Sequence, residues 1–287
     1  MNENTYLVDL HCHTNASDGQ LSPSEIVQRA IDNNVDVLAI TDHDTVAGMS
    51  EAHKYNALQP KPIKLVNGVE ISTRWHSHDI HIVGLNVDIE SVELDEFLSK
   101  QRRLRNERAK EIGIRLEKAG IEGAYKGAKS LAGDAALSRG HYGRWLAENG
   151  YAKDVASVFK KYMTRGKTGY VPNNWQSMAE AIAIIHRAGG QAVLAHPSGY
   201  KFKGKWLRKL VAEFKEANGD AMEVVLGQQT IDDRNNLIAL SHQHELYASL
   251  GSDFHFAGGR LNLGKNMYQP KDVNWIWQSK GWLTPLI

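Results

Sequence analysis

Leu7-Val-Asp-Leu-His-Cys-His-Thr-Asn-Ala-Ser-Asp18 joins an apolar run to a pair of histidines. Tyr6 to Leu10 predicts a strand, and alternate residues of a strand share a face, so His11 and His13 aim the same way. Asp9 falls on that face too, where a carboxylate can orient an imidazole from behind. Cys12 points to the opposite side and is expected to pack. The turn-prone segment Asn15-Ala-Ser-Asp-Gly19 would swing Asp18 back toward the histidines. Paired histidines at a strand end with a nearby carboxylate are the beginning of a metal site. A lone His-x-His reads equally well as two polar residues in a surface loop; what separates the two readings is whether the chain repeats the pattern.

The whole chain bounds the answer. Its 287 residues suffice for one large domain, or one domain with an insertion. A formal charge of +1 argues against a coat of basic charge for long nucleic acids, while permitting a local basic cleft. A single cysteine excludes an internal disulfide framework and fits a reducing compartment. The first residues, Met1-Asn-Glu-Asn-Thr, show no secretory pattern, and no apolar run nears the ~20 residues that cross a bilayer. The expectation is a soluble, cytoplasmic protein that does not enter a membrane.

Along the chain, Ser22-Pro-Ser-Glu25 predicts a capped helix start, and Val35 to Ile40 a second strand ending in Thr41-Asp-His-Asp44. A helix from Gly48 to about Leu58 precedes Ile63-Lys-Leu-Val66 and Asn67-Gly-Val-Glu-Ile71; Ile80-His-Ile-Val-Gly-Leu85 is a fourth strand. Glu93 to Lys118 is helical and charged, read chiefly as a solvated face with pairs such as Glu111–Arg115; phosphate binding by its basic part, Lys100 to Lys118, is the second reading. Shorter helical patterns cover Leu131–Ala136, His141–Glu148 and Val155–Tyr162. Strands resume at Gln191–Ala195, Ala221–Val225 and Leu246–Leu250, with helices between them. The alternation predicts a parallel sheet covered by helices, and roughly seven strand–helix units suit a closed α/β barrel. Its parts would be residues 1–94 and 176–287, with a helical, substrate-binding insertion at 95–175.

The proposed strand ends carry a repeated chemistry. The first gives His11 and His13, the second His43, the third Glu70, the fifth His196 and the last Asp253 and His255; His81 sits awkwardly near the start of the fourth. In a parallel barrel these C-terminal ends converge on one mouth. Six histidines and three acids, Asp18 included, exceed one coordination sphere and suit two or three ions sharing a bridging carboxylate. Glu223 also points from a strand, but no second ligand accompanies it.

The ordered motifs Asp9-Leu-His-Cys-His-Thr-Asn-Ala-Ser-Asp-Gly, Ile40-Thr-Asp-His-Asp, Gly68-Val-Glu, His81-Ile-Val-Gly, Ala195-His-Pro and Gly251-Ser-Asp-Phe-His resemble those of the PHP (polymerase and histidinol phosphatase) family across nearly the whole chain. The resemblance implies a distorted seven-stranded (β/α) barrel with a trinuclear centre, manganese favoured and Fe²⁺ or Zn²⁺ admissible. By motif, the metal ligands would be His11, His13, Asp18, His43, Glu70, His81, His196, Asp253 and His255, with Glu70 bridging; Asp18, His43, Glu70, Asp253 and His255 would also carry the catalysis. Within the family the chain is most similar to the 3′,5′-nucleoside bisphosphate phosphatases and 5′-to-3′ exoribonucleases of the RNase AM kind. The pointers are the insertion, Ser138-Arg-Gly-His-Tyr-Gly-Arg-Trp145 and Lys161-Tyr-Met-Thr-Arg-Gly-Lys-Thr-Gly-Tyr-Val-Pro172. This resemblance assigns substrate phosphate to Arg139 and His141, with Lys167 assisting. Gly140 and Gly143 stand where such relatives carry Thr and Ala, loosening the helix start by ~1 kcal/mol each.

The expected activity is therefore a metal-dependent phosphoesterase acting on nucleoside 3′,5′-bisphosphates and on short RNA that bears a 5′-phosphate. Two alternatives stand beside it: a phosphatase of a small monoester such as histidinol phosphate, and a metal-binding PHP module without catalysis.

Overall fold

A computed structural model describes residues 6–282. One seven-stranded sheet runs in sequence order: β1 (Val8–Asp9), β2 (Val37–Ile40), β3 (Lys64–Trp75), β4 (His78–Leu85), β5 (Gln191–Leu194), β6 (Ala221–Leu226) and β7 (Tyr247–Gly251). The two edges meet. Leu10 N donates to Leu250 O at 3.2 Å, Asp253 N to His11 O at 2.9 Å, and Cys12 bridges Phe254 in parallel. The sheet is thus a nearly closed barrel, and the first histidine motif is stitched between the ends of β7 and β2, where Thr41 N donates to Cys12 O at 2.9 Å.

Helices α1 (Pro23–Asp32), α2 (Met49–Ala57), α7 (Met178–Arg187), α8 (Gly204–Glu216) and α9 (Ile231–Gln243) cover the barrel. Local chemistry sets several starts: Ser22 and Glu25 form the capping box of α1 with Pro23 in its first turn, and Ser177–Glu180 and Thr230–Asp233 do the same for α7 and α9. Cys12 is fully buried among Ile26, Val27, Leu38, Met49 and Phe254, as its opposed direction predicts.

The sheet departs from the all-parallel expectation at one strand. Strand β4 is antiparallel to both β3 and β5, while the remaining pairs are parallel. The reason is local: Trp75 pairs with His78, so only His76 and Ser77 connect β3 to β4, and His76 takes the left-handed φ of 51° that a tight reversal needs. An antiparallel strand begins at the mouth where its neighbours end. His81, misplaced for a parallel strand, is therefore at the mouth.

After β4 the chain enters α3 (Val92–Lys118), followed by α4 (Ala124–Ala132), α5 (Arg139–Glu148), α6 (Val155–Val158) and a π-turn at Phe159–Met163. Leu94 and Leu98 of α3 belong to the barrel's apolar cluster; Ala109, Ile112 and Leu116 belong to a second one, with Ala128, Tyr142, Leu146 and Val158. The helical pattern at Leu131–Ala136 is displaced: the helix lies earlier, at Ala124–Ala132, and ends where Gly133 adopts φ 54°.

Gly251 marks the tightest approach at the seam, since a Cβ there would collide with the His11 side chain. Gly251→Ala should destabilise the fold by about 1–3 kcal/mol, the range for overpacking a tight interior. A urea midpoint indistinguishable from wild type would show that β1 and β7 are not held as described.

Candidate metal centre

The barrel mouth gathers all nine residues that the sequence singles out as ligands. Glu70, fully buried, sits in the middle. Its Oε1 lies 2.9 Å from His81 Nδ1, 2.9 Å from His196 Nε2 and 3.5 Å from His11 Nε2; its Oε2 lies 2.8 Å from His43 Nδ1 and 3.4 Å from His13 Nε2. Asp253 Oδ1 is 3.1 Å from His13 Nε2, and Asp18 Oδ1 is 3.4 Å from His255 Nε2 and 3.8 Å from His43 Nε2. The donor atoms fall into three overlapping groups: His13, Asp18, His43 and His255; His11, His13 and Glu70; His43, Glu70 and His81.

Asp18 arrives by the turn that the sequence suggests, and Asp42 shapes that turn. The Asp42 carboxylate accepts from Thr14 N at 2.7 Å, Thr14 Oγ1 at 2.6 Å and Ser17 Oγ at 2.5 Å. Asp9 does not orient an imidazole. It accepts from the backbone N–H of Ser252 and Gly264, both at 2.9 Å, and so ties the seam together. The orienting residue is Glu223, which sequence reasoning left unassigned. Its Oε1 accepts from His11 Nδ1 at 2.7 Å and its Oε2 from His196 N at 2.5 Å. A carboxylate can only accept, so Nδ1 of His11 carries a proton, and the ring is held with Nε2 turned to the centre. His255 is set likewise by donating from Nδ1 to Asp253 O at 2.9 Å.

Burial opposes charge on the three acids, but the imidazoles outweigh it. His43, His81 and His11 pull the Glu70 carboxyl well below its ordinary range, His43 and His255 do so for Asp18, and His255, His13 and His11 for Asp253. All three are anionic near neutral pH. His13 Nδ1 and Asp18 Oδ1 are buried without a hydrogen bond, and His43 Nδ1 and Glu70 Oε2, though 2.8 Å apart, are not aligned to form one. Buried polar atoms left so are costly, and a cluster of them around carboxylates and imidazoles fits divalent cations. No thiolate takes part: Cys12 is turned away, and its Sγ donates to Ala39 O at 3.3 Å.

The centre opens into a cavity of about 380 Å³ between the barrel mouth and helices α3 and α5. Asp18, His43, Glu70, His81, His196, Asp253 and His255 line it from the barrel; Arg105, Arg108, Arg139 and Arg144 line it from α3 and α5, the first two over the Trp175 ring and Arg139 over Phe159. Arg105 is clamped on Asp44 Oδ2 and Ser72. Arg108 and Arg139 share Asp79, at 3.4 and 3.1 Å, so two cations meet one anion. Burial and the neighbouring Arg139 lower the Arg108 pKa to about 10, which leaves it cationic. Arg144 Nε is buried without a partner.

The sequence-predicted substrate residues divide. Arg139 lines the cavity. His141 does not: buried behind Ser138, it accepts from Ser138 N at 3.1 Å and completes the capping box of α5, and burial lowers its pKa to about 4. Lys167 is exposed in the turn after the π-turn, and the structure does not bring it to the cavity wall. Arg105 and Arg108 belong to the basic helix for which phosphate binding is the second reading, and Arg144 was not singled out; all three line the cavity. A signal existed: Arg105, Ala109, Ile112 and Leu116 are spaced as one buried helical stripe, so a helix read as solvated had an inward face.

An α/β barrel with a buried histidine–carboxylate cluster at its mouth defines a metal-dependent hydrolase class. The PHP domain profile matches residues 9–269, and the chain belongs to the PHP family. It is 50% identical to the 5′-3′ exoribonuclease Rnm of Escherichia coli over 280 residues, covering 97% of this chain and 96% of that one. It is 40% identical over 273 residues to a 3′,5′-nucleoside bisphosphate phosphatase of Chromobacterium violaceum, covering 94% and 95%. Among solved structures, an amidohydrolase from Chromobacterium violaceum, with bound sulfate and no metal, superposes with a TM-score of 0.90 at 39% identity over 94% of both chains.

Glu223→Gln should weaken metal binding by roughly 10–100-fold, because the amide must turn an N–H toward one of its two donors. Metal titration of the purified variant, monitored by calorimetry, measures this. Wild-type affinity would remove Glu223 from its orienting role.

Proposed function

We propose that this chain is a metal-dependent phosphoesterase that removes the 3′-phosphate of nucleoside 3′,5′-bisphosphates and, by the same chemistry, releases nucleotides 5′-to-3′ from short 5′-phosphorylated RNA. One observation carries the reading: a single cavity is lined by candidate metal ligands from the barrel and by four arginines from α3 and α5. A substrate with two separated phosphates fits such a cavity. The activities named for the Escherichia coli and Chromobacterium violaceum relatives, each aligned along nearly its full length, support it. The two substrates are locally alike, each presenting a 5′-phosphate, a ribose and a phosphoester at the 3′ oxygen.

The nine ligands would hold more than one ion, with Glu70 shared between them. Mn²⁺ suits the carboxylate and imidazole donors, as do Fe²⁺ and Zn²⁺. When bound, such ions acidify a water and offset phosphoryl charge. The chain's own contribution is positioning. Asp18, His43, Glu70, Asp253 and His255 border the scissile phosphate; Arg139, with Arg108 and Arg144, receives the 5′-phosphate, for which a planar guanidinium fork is suited. His141 acts through Arg139 by fixing the first turn of α5. The position expected of Lys167 is filled by Arg108 and Arg144. Trp175 and Phe159 give the nucleoside an apolar wall. No helix among the described residues is long and apolar enough to cross a membrane, and we read the enzyme as cytoplasmic.

The test measures kcat/KM on a nucleoside 3′,5′-bisphosphate, histidinol phosphate, a generic activated ester, and matched oligoribonucleotides with 5′-phosphate or 5′-hydroxyl ends. The phosphorylated RNA and the bisphosphate should be preferred. Loss of the 5′-phosphate removes charge-assisted bonds of ~1.5–3 kcal/mol each, so two of them predict a hundred-fold or larger drop. Arg139→Ala should reproduce that drop on 5′-phosphorylated substrates and spare the activated ester, while Asp253→Asn should abolish every activity with the fold retained by circular dichroism. Equal rates on 5′-phosphate and 5′-hydroxyl RNA, or release from the 3′ end, would overturn the reading.

A further inference from the structure

After His196 and four further residues the chain reads Lys201-Phe-Lys-Gly-Lys-Trp-Leu-Arg-Lys209, five cations and two aromatics in nine residues. The surrounding rings form a connected series leading away from the centre. His196 contacts Tyr200 at 5.2 Å between centroids, Tyr200 contacts Phe202 at 5.7 Å, Phe202 contacts His78 at 4.8 Å, and His78 contacts Trp206 at 5.9 Å. The near end is anchored, since His81 N donates to the Tyr200 hydroxyl at 2.8 Å. The far end reaches solvent: Trp206 is 42% exposed, packs edge-on against buried Trp75 and has the Lys209 ammonium 5.5 Å from its ring centre.

The cations around these rings are available. Lys201, Lys203, Lys205 and Arg208 are exposed and, among the described residues, take part in no ion pair. Lys209 is the exception, 3.5 Å from Glu213, whose carboxylate also receives Trp75 Nε1 and approaches His76. Lys203 stands at the N-cap of α8 without supplying a side-chain cap, so the positive end of that helix faces the same surface. Strand alternation puts this surface behind the arginine cavity: Asp79 pairs with Arg108 and Arg139, while His78 turns the other way to Phe202 and Trp206.

We propose that this patch is a docking track for single-stranded RNA on the 3′ side of the scissile bond. The reading rests on the RNA activity proposed above and extends it to nucleotides that the 380 Å³ cavity does not hold. Aromatic faces interleaved with unpaired cations are what a single strand requires: bases stack on any ring without sequence preference, and the backbone follows the positive charge. A duplex offers no free base faces and gains only the charge. The track would hold the rest of the strand while its 5′ nucleotide is in the cavity, in a chain whose overall charge is only +1.

The test compares the metal-loaded wild-type enzyme with Lys203→Glu/Lys205→Glu and, separately, Trp206→Ser. Substrates are adenosine 3′,5′-bisphosphate, a 5′-phosphorylated dinucleotide and a 5′-phosphorylated octanucleotide, with kcat and KM resolved at two salt concentrations. Wild type should show a KM for the octanucleotide about tenfold or more below that for the dinucleotide. Both variants should erase this length advantage through KM with kcat retained, leave bisphosphate turnover unchanged, and, for the double-charge variant, flatten the salt dependence. Octanucleotide KM values that match wild type in both variants, or a wild type indifferent to length, would overturn the track while leaving the RNA activity intact. A wild type that dephosphorylates the bisphosphate but degrades neither RNA would overturn the RNA reading and the track with it.

Discussion

A carboxylate with almost no exposed surface and five imidazoles within 3.5 Å of its oxygens is the constraint from which the rest of the structure follows. Burying an isolated charge is prohibitively unfavourable, so Glu70 can exist there only if positive charge surrounds it. One helix or one loop cannot present that many imidazoles to a single point. Strand ends arranged around a mouth can, because each contributes a side chain from a different direction. The barrel is thus the scaffold that makes such a centre affordable, and the outer layer of Glu223, Asp42 and Asp9 keeps its walls from relaxing.

The division between what could and could not be read in advance follows the physics. Ligand motifs were legible because each couples an apolar strand to a polar residue at its end, a local pattern that one sequence displays. The hairpin at Trp75–His78 was not: its tip carries no glycine, and His76 takes the left-handed conformation without advertising it. His81 was the single symptom, a correct residue apparently at the wrong end of its strand. Glu223 looked idle because its partners, His11 and His196, lie far away in sequence. Lys167 illustrates the converse, since a motif can place a cation near a site in sequence without aiming it there. His141, buried and engaged in capping, holds the first turn of the helix that carries Arg139.

The insertion is coupled to the chemistry through Arg105, which reaches from α3 to Asp44, the residue directly after His43. Such a pair contributes little net stability when intact and a large loss when halved. Its value is geometric, in that the helix carrying Arg108 cannot shift without disturbing the loop carrying His43. Gln101 adds a second tie, donating to Ser72 O at 2.5 Å, so the same face of α3 is held at two heights.

The reversed strand has one more effect. Because β4 runs from the mouth downward, the chain leaves it at the closed end of the barrel and must climb back before it can build a wall over the mouth. Helix α3 makes that climb in 27 residues, about 40 Å at 1.5 Å per residue. Its lower part is embedded among Leu94, Leu98 and the barrel core, and its upper part carries the guanidinium groups. A helix used this way is a vernier: one residue added between Leu98 and Arg105 would raise the arginines by one step and turn them about 100° off the cavity. The loops after Lys118 can change without moving these arginines, whereas the spacing from β4 to Arg105 has no such latitude.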